Sequence, residues 1–124
     1  MSQAANNPAQ QPFAMQFGAA GESRFTVPAG KRLVIEFFSV NAFGSDDGFY
    51  VPVISATTDS KFASHFMAVT IQKYALTHLN LYVASQPTLI YVDAGTDVIV
   101  RADFASTKGI TGSMSVSGHF VTLP

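Results

Sequence analysis

The chain has 124 residues, the length of one domain rather than two. Hydrophobic residues make up 48% and charged residues 12%, which excludes disorder of the charged, weakly hydrophobic kind. The net charge of −1 excludes a nucleic-acid binder that works through clustered Lys and Arg. The absence of cysteine excludes disulfides, thiolate zinc sites and cysteine nucleophiles. No apolar run approaches the roughly 18 residues that a membrane-spanning helix needs.

Residues 1–12 are predicted to form a flexible polar lead-in, and residues 13–124 a single domain. The lead-in lacks the basic start and the apolar core of a signal peptide. Two explanations stay open. The protein is cytoplasmic if Met1 is native, or it is a mature secreted or periplasmic chain whose signal has been replaced by a start Met. The Ala, Asn, Gln and Pro composition of the lead-in favours the second.

Short β-rich runs separated by turn signals follow the lead-in. The candidate strands are 13–17, 23–27, 31–43, 49–55, 61–73, 79–83, 88–92, 98–104 and 113–123. Turn signals recur about every ten residues, a spacing typical of sandwiches and barrels rather than of alternating strands and helices. The pattern predicts an all-β fold, an antiparallel β-sandwich of the jelly-roll type, with a closed barrel as the alternative.

Four segments carry more specific predictions. Residues 31–43 have apolar side chains on both faces, which predicts a central strand covered on both sides. Pro52 predicts an edge strand or a bulge, because proline cannot donate a ladder hydrogen bond. Residues 61–73 fit both a helix and a strand, and the β-branched run Val69–Ile71 favours the strand. Residues 85–87 predict the turn of a hairpin.

One segment is echoed later in the chain. Val27–Ile35 resembles Val92–Val100, with three identical positions and three aliphatic exchanges. The echo represents either two copies of a common turn or two equivalent hairpins in the halves of a jelly roll. In the last strand, Gly118 stands among the apolar positions and predicts a bulge or close packing.

The segment Phe25–Glu36, together with the closing segment Val116–Val121, resembles a group of small bacterial secreted β-sandwich proteins. Those proteins also pair a VPAGKRLVIE strand with a closing strand of the form Ser-Gly-aromatic. The resemblance covers about a quarter of the chain. It implies a secreted β-sandwich and carries over no activity.

The sequence predicts no metal site and no cofactor. No two of His65, His78 and His119 have the short spacing of paired ligands on one strand or helix. Asp46 and Asp47, with Asp59 in the next loop, could supply oxygen ligands for calcium if both loops lay at one end of a sandwich. The pattern of an EF-hand loop is absent, and solvated turns are the favoured interpretation.

The candidate ligand-binding residues lie in or beside the loops 44–48, 56–60 and 105–112, because binding groups concentrate on loops held by a rigid scaffold. They are Asp46, Asp47, Tyr50, Asp59 and Lys108. A tyrosine ring beside aspartates is the arrangement in which a sugar stacks on the ring while carboxylates bind its hydroxyls.

Low charge predicts an interface, because fifteen charged residues cover the surface of the chain thinly. We expect a non-catalytic recognition module, forming a homo-oligomer, that binds a glycan or a protein partner through its end loops. The alternative is a structural subunit that assembles with itself, as in fibres or shells built from jelly rolls. A small enzyme using Glu36 or a histidine as acid or base is the third hypothesis.

Overall fold

The computed structural model describes residues 10–74, 76–107 and 109–124, and these form nine β-strands and no helix. The strands are β1 (Gln10–Gly18), β2 (Glu22–Thr26), β3 (Lys31–Ser45), β4 (Phe49–Thr58), β5 (Lys61–Phe66), β6 (Thr70–Tyr74), β7 (Leu79–Val92), β8 (Asp97–Ala105) and β9 (Thr111–Thr122). The all-β prediction is confirmed. β1 begins inside the predicted lead-in because Gln10 to Pro12 pair with β9. None of the described segments is a helix that could cross a membrane.

The strands build two antiparallel sheets in a nested order. The five-stranded sheet has the order β1-β9-β3-β7-β6, and the four-stranded sheet has the order β2-β8-β4-β5. The first strand pairs with the last, β2 with β8, β3 with β7 and β4 with β5. This is a long hairpin folded over itself, the arrangement of a jelly roll, with β6 added at one edge. The predicted sandwich is confirmed.

The core lies between the two sheets and is filled by alternate residues of the central strands. The largest fully buried side chains include Leu33, Ile35, Phe38, Ile54, Tyr82, Val98, Val100, Met114 and Val116. At one margin Phe13 contacts Phe25 and Phe120, with ring centroids 5.2 and 5.3 Å apart. Burial of these apolar groups is the main force that holds the sheets together.

A β-bulge interrupts the simple alternation of side chains along β3. The pairing of β3 with both β7 and β9 shifts between Ile35 and Phe37. Beyond the shift, Phe38 and Val40 join Ile35 in the core, whereas Phe37 points outward and is 39% exposed. β3 is central in its sheet, as predicted, but the prediction that both of its faces are covered is wrong, because only the inner face packs on the other sheet.

The predicted hairpin turn at residues 85–87 is wrong. β7 runs without interruption from Leu79 to Val92. Pro87 lies opposite Phe37 at the bulge, beyond the stretch Leu79–Val83 that pairs with β6. A proline is tolerated here because the pairing of β7 with β3 is already interrupted by the bulge. On the other side of β7, the pairing with β6 has ended before Pro87.

β4 and the segment 61–73 also differ from what the sequence predicts, which is an edge strand or a bulge at Pro52 and a single strand over residues 61–73. β4 lies between β8 and β5, so it is not an edge strand. Pro52 lies just beyond Val53, the last residue of β4 that pairs with β5; its carbonyl accepts the Met67 N–H at 2.9 Å, and the proline removes only the one donor at the end of this ladder. The segment 61–73 is extended, as predicted, but it forms two strands in different sheets.

The echoed segments form equivalent turns. Gly30 and Gly95 have φ values of 77° and 73°, and each closes the connection by which the chain crosses from one sheet to the other. The two turns also bond to each other, because the Val27 N–H donates to the Thr96 carbonyl and the Gly95 N–H donates to the Val27 carbonyl, both at 2.9 Å. The interpretation as equivalent elements of a jelly roll fits this arrangement.

Candidate functional site

The loops that carry the candidate residues fall at opposite ends of the sandwich. β4 begins next to Asp46 and Asp47 and ends next to Asp59. Its ten residues separate the two loops by about 30 Å at the usual rise of a strand. The hypothesis of a calcium site shared by these three aspartates is therefore wrong. Within the described ranges, no three His, Cys, Asp or Glu side chains are placed to hold a metal ion.

At the first end, hydrogen bonds between Ser45 and Ser106 join two of the predicted loops. Ser45 is 2% exposed; its N–H donates to the Ser106 hydroxyl at 2.8 Å, and the two hydroxyl oxygens are 2.9 Å apart. The Thr107 N–H donates to the Ser45 hydroxyl at 3.0 Å, and the Ser106 hydroxyl donates to the Gly109 carbonyl at 2.8 Å. These bonds bring the loops 44–48 and 105–112 together. Ser45 and Ser106 lacked any distinguishing pattern in the sequence.

The first-end aspartates differ in their surroundings. The Asp46 N–H donates to the His78 carbonyl at 3.0 Å, and its carboxylate lies 3.4 Å from His78 Nδ1. Lys73 Nζ donates to the Asp46 carbonyl at 3.4 Å. Asp46 thereby ties its loop to the connection between β6 and β7, and both Asp46 and Asp47 are exposed. Lys108 lies outside the described residues.

Tyr50 is a core residue, so the prediction that it presents its ring to a sugar is wrong. Its side chain is 2% exposed and stacks on Tyr82, with ring centroids 5.4 Å apart. Its hydroxyl donates to the Ala19 carbonyl at 2.7 Å. Burial raises the pKa of the hydroxyl to about 12. The reason is the alternation of β4, which turns Tyr50 inward with Ile54 and Ala56.

At the second end, Asp59 belongs to a tight turn that Asp93 stabilises. Asp59 and Ser60 have φ values of 52° and 65°, as in the two-residue turn that closes β-hairpins. The Asp93 carboxylate accepts their N–H groups at 2.9 and 2.8 Å. These two bonds hold the pKa of the Asp93 carboxyl below its usual value, the Ser60 bond having the larger effect. Asp93 was missed as a functional candidate, and its role is structural.

Glu36 and His119 form a pair on the outside of the five-stranded sheet. Glu36 lies at the bulge of β3, and its carboxylate is 2.7 Å from His119 Nδ1. The Glu36 side chain is 51% exposed. It is therefore not the carboxyl group in an apolar pocket that an acid catalyst of glycoside hydrolysis requires.

The outer face of the five-stranded sheet is free of charge over most of its area. Register and alternation place the following side chains on this face, which we call the neutral face: Ala14 and Gln16 of β1; Phe37, Ser39, Asn41 and Phe43 of β3; Thr70 and Gln72 of β6; Leu81, Val83 and Ser85 of β7; Ser113, Ser115 and Ser117 of β9. The Ser39 and Ser115 hydroxyls are 2.6 Å apart at its centre. Phe37 and Phe43 are 39% and 38% exposed.

The opposite face of the molecule, by contrast, carries charged side chains. On the outside of the four-stranded sheet, Arg24 lies 3.5 Å from Glu22 and 3.7 Å from Asp97. Arg101 is bonded to Asp103 on the same face. Among the described residues, most charges thus lie here and at the ends of the sandwich, with Glu36 beside the neutral face, and the neutral face itself lacks the groups that normally keep a surface solvated.

No protein-family model matches the sequence. No curated protein matches it at a significant level. The resemblance to bacterial secreted β-sandwich proteins and the secreted location that it implies stay predictions.

Proposed function

We propose that the protein is a non-catalytic β-sandwich subunit that associates with copies of itself through the neutral face. The observation that carries this proposal is that the neutral face, which lies beside the Glu36–His119 pair on the outside of the five-stranded sheet, contains no charged side chain; its exposed groups are hydroxyls, amides and apolar side chains. Depletion of charge together with enrichment of aromatic residues is the compositional mark of interface centres. Self-association accounts for the low charge of the whole chain.

The size of the neutral face fits a weak, concentration-dependent contact. The face spans three residues of β1, five of β9, seven of β3, five of β7 and three of β6. At about 3.3 Å per residue and about 4.8 Å between strands, it covers roughly 360 Å². Two copies that meet through this face would bury about 700 Å² together, which places the contact in the class of weak interfaces. Two sheets can meet face to face in this way, since such packing is the ordinary geometry of a sandwich.

Charge placed on the neutral face is expected to weaken self-association. Asn41 and Ser85 are exposed on central strands, so Lys at either position leaves the fold intact. A two-fold contact brings the two new charges together, which raises the concentration of half-association at least about tenfold. Sedimentation velocity over a concentration series measures this for Asn41→Lys, Ser85→Lys and the double variant.

Ala105→Lys is the matched control, because Ala105 is exposed on the outside of the four-stranded sheet. It should associate like the parent chain. A parent chain that keeps a mass of 13.2 kDa at high micromolar concentration would overturn the proposal. Equal weakening by the control and by the face variants would overturn it as well, since the effect would then reflect net charge.

The loops of the first end support a second candidate function, recognition of a glycan. The hydrogen bonds between Ser45 and Ser106 hold the two loops together, and Asp47 and Phe49 are exposed beside them, Phe49 by 52%. Rigid loops with an exposed aromatic ring and a carboxylate provide the groups that bind sugars. Phe49 replaces Tyr50 as the aromatic candidate.

A glycan array tests this candidate, with Asp47→Ala as the variant. We expect a specific signal that falls at least about tenfold in Asp47→Ala with no change in thermal stability, since an exposed turn residue contributes little to folding. Calcium should leave the signal unchanged, because the aspartates do not converge. An array without any specific signal would contradict glycan recognition and would leave self-association as the function.

A further inference from the structure

β5 is an edge strand that is exposed on both faces. It lies at the edge of the four-stranded sheet. Five of its six side chains are exposed, and His65 is half-buried. Phe62 and Phe66 are 61% and 64% exposed. Edge strands are normally protected from pairing by central charges, prolines or bulges. β5 has none of these devices, since its single charged residue is Lys61 at its first position.

The turn at Asp59 and Ser60 determines which backbone groups β5 directs outward. A two-residue hairpin is closed by a hydrogen-bonded pair, here Thr58 and Lys61. Hydrogen-bonded and non-bonded pairs alternate along an antiparallel ladder. The odd-numbered residues of β5 therefore direct their N–H and C=O groups to β4. The even-numbered residues direct theirs to the open edge, where no other described strand pairs with them.

We propose that β5 pairs antiparallel with β5 of a second copy of the chain, centred on a two-fold axis at Ser64. In this register Ser64 lies opposite Ser64 of the second copy, and Phe62 lies opposite Phe66 of the second copy. All of the outward-facing N–H and C=O groups of the three even-numbered residues then meet partners. The two four-stranded sheets join into one continuous sheet of eight strands.

The side chains are complementary in the same register. Phe62 and Phe66 lie on one face of β5, with Ser64 between them. The pairing forms two aromatic pairs across the new contact, and cross-strand aromatic pairs are among the favourable ones. The two Lys61 side chains are separated by about six residues along the strands, roughly 20 Å, so their charges do not repel each other appreciably.

The edge contact is distinct from the neutral face and does not depend on it. A short edge pairing buries little area, which places it among weak contacts when it acts alone. Two different two-fold contacts on one chain connect each copy to two neighbours, and this builds a closed tetramer or a filament. The edge contact would therefore convert the proposed face-to-face dimer into a larger assembly.

A disulfide trap tests the edge contact. The chain has no cysteine, so Ser64→Cys introduces a single thiol. Directly opposite residues in a hydrogen-bonded pair have Cα atoms about 5.5 Å apart, which matches disulfide geometry. Under mild copper-catalysed oxidation we expect Ser64→Cys to form a covalent dimer at least about tenfold faster than Phe62→Cys, measured on non-reducing gels.

Phe62→Cys is the matched control because the two Phe62 positions lie about 14 Å apart in this register, too far for a disulfide. A mixture of Phe62→Cys and Phe66→Cys chains, one of them carrying a size tag, should cross-link as the mixed dimer. Equal rates for Ser64→Cys and Phe62→Cys would overturn the proposal. The preference for cross-linking through Ser64→Cys over Phe62→Cys should persist in the Asn41→Lys background, because the two contacts use different sheets; loss of that preference there would likewise overturn the edge pairing.

Discussion

Gly118→Ala is expected to lower the free energy of unfolding by about 3 kcal/mol, equivalent to about 10 °C in melting temperature. A Cβ atom on Gly118 would lie 2.9 Å from the carbonyl carbon of Val34 and closer still to its oxygen. The obstacle is backbone in the centre of the five-stranded sheet, beside the β3 bulge, so no flexible side chain can move aside. Thermal and urea unfolding followed by circular dichroism measure the effect.

Gly18→Ala is the control for this substitution. A Cβ atom on Gly18 would meet only the Ala20 carbonyl oxygen, at an ordinary 3.7 Å. Removing a glycine from a compatible position changes stability by less than about 1 kcal/mol, often favourably. If both variants unfold at the same temperature as the parent, the close approach of β9 to β3 at the bulge is not a feature of the folded protein.

Tyr50→Ala is expected to lower the free energy of unfolding by about 4 kcal/mol, because it removes a buried aromatic ring from the contact with Tyr82. Tyr50→Phe keeps the ring and loses only the hydrogen bond to the Ala19 carbonyl, which costs about 1 kcal/mol. Denaturant titration of the two variants separates the contributions of the ring and the hydroxyl. A Tyr50→Ala protein as stable as the parent would show that Tyr50 is not a core residue.

The same tyrosine gives the protein a specific sensitivity to alkaline pH. Its pKa is about 12 in the folded chain against 10.0 when unperturbed. Below pH 10 the hydroxyl is protonated in both the folded and the unfolded chain, so it adds no pH dependence. As the pH rises from about 10 to about 12 the unfolded chain loses this proton first, and stability falls by roughly 2–3 kcal/mol. Tyr50→Phe should lack this part of the decline, whereas the other tyrosines and the lysines titrate in both proteins.

Local sequence patterns were sufficient to predict those strands and turns that depend only on neighbouring residues in the chain. The β-strands follow from alternation and from β-branched and aromatic composition. The turns at Gly30 and Gly95 could be predicted because a glycine, which accepts positive φ, follows Pro-Ala in one case and Asp-Ala in the other. Gly118 was predicted to mark a bulge or close packing. The structure confirms close packing at Gly118, whereas the neighbouring bulge belongs to β3.

The predictions for β3 and for residues 85–87 were wrong for one reason. In both places the local structure depends on pairing with a strand that is distant in the chain. The bulge after Ile35 is a property of the pairing of β3 with β7 and β9, and it reverses the faces read from simple alternation. The continuity of β7 through Pro87 depends on the same bulge and on where β6 ends. A local pattern contains no information about which strand lies alongside.

The candidate site illustrates the same division. By itself the sequence determined an all-β sandwich, a shortage of charge and the residue types that loops present. Only the tertiary structure decided that Asp46 and Asp59 lie at opposite ends, that Tyr50 is buried, and that the uncharged residues gather on one face of one sheet. The physical reason is that strand order and register bring together residues far apart in the chain, and these are set by packing of the whole core rather than by any single segment.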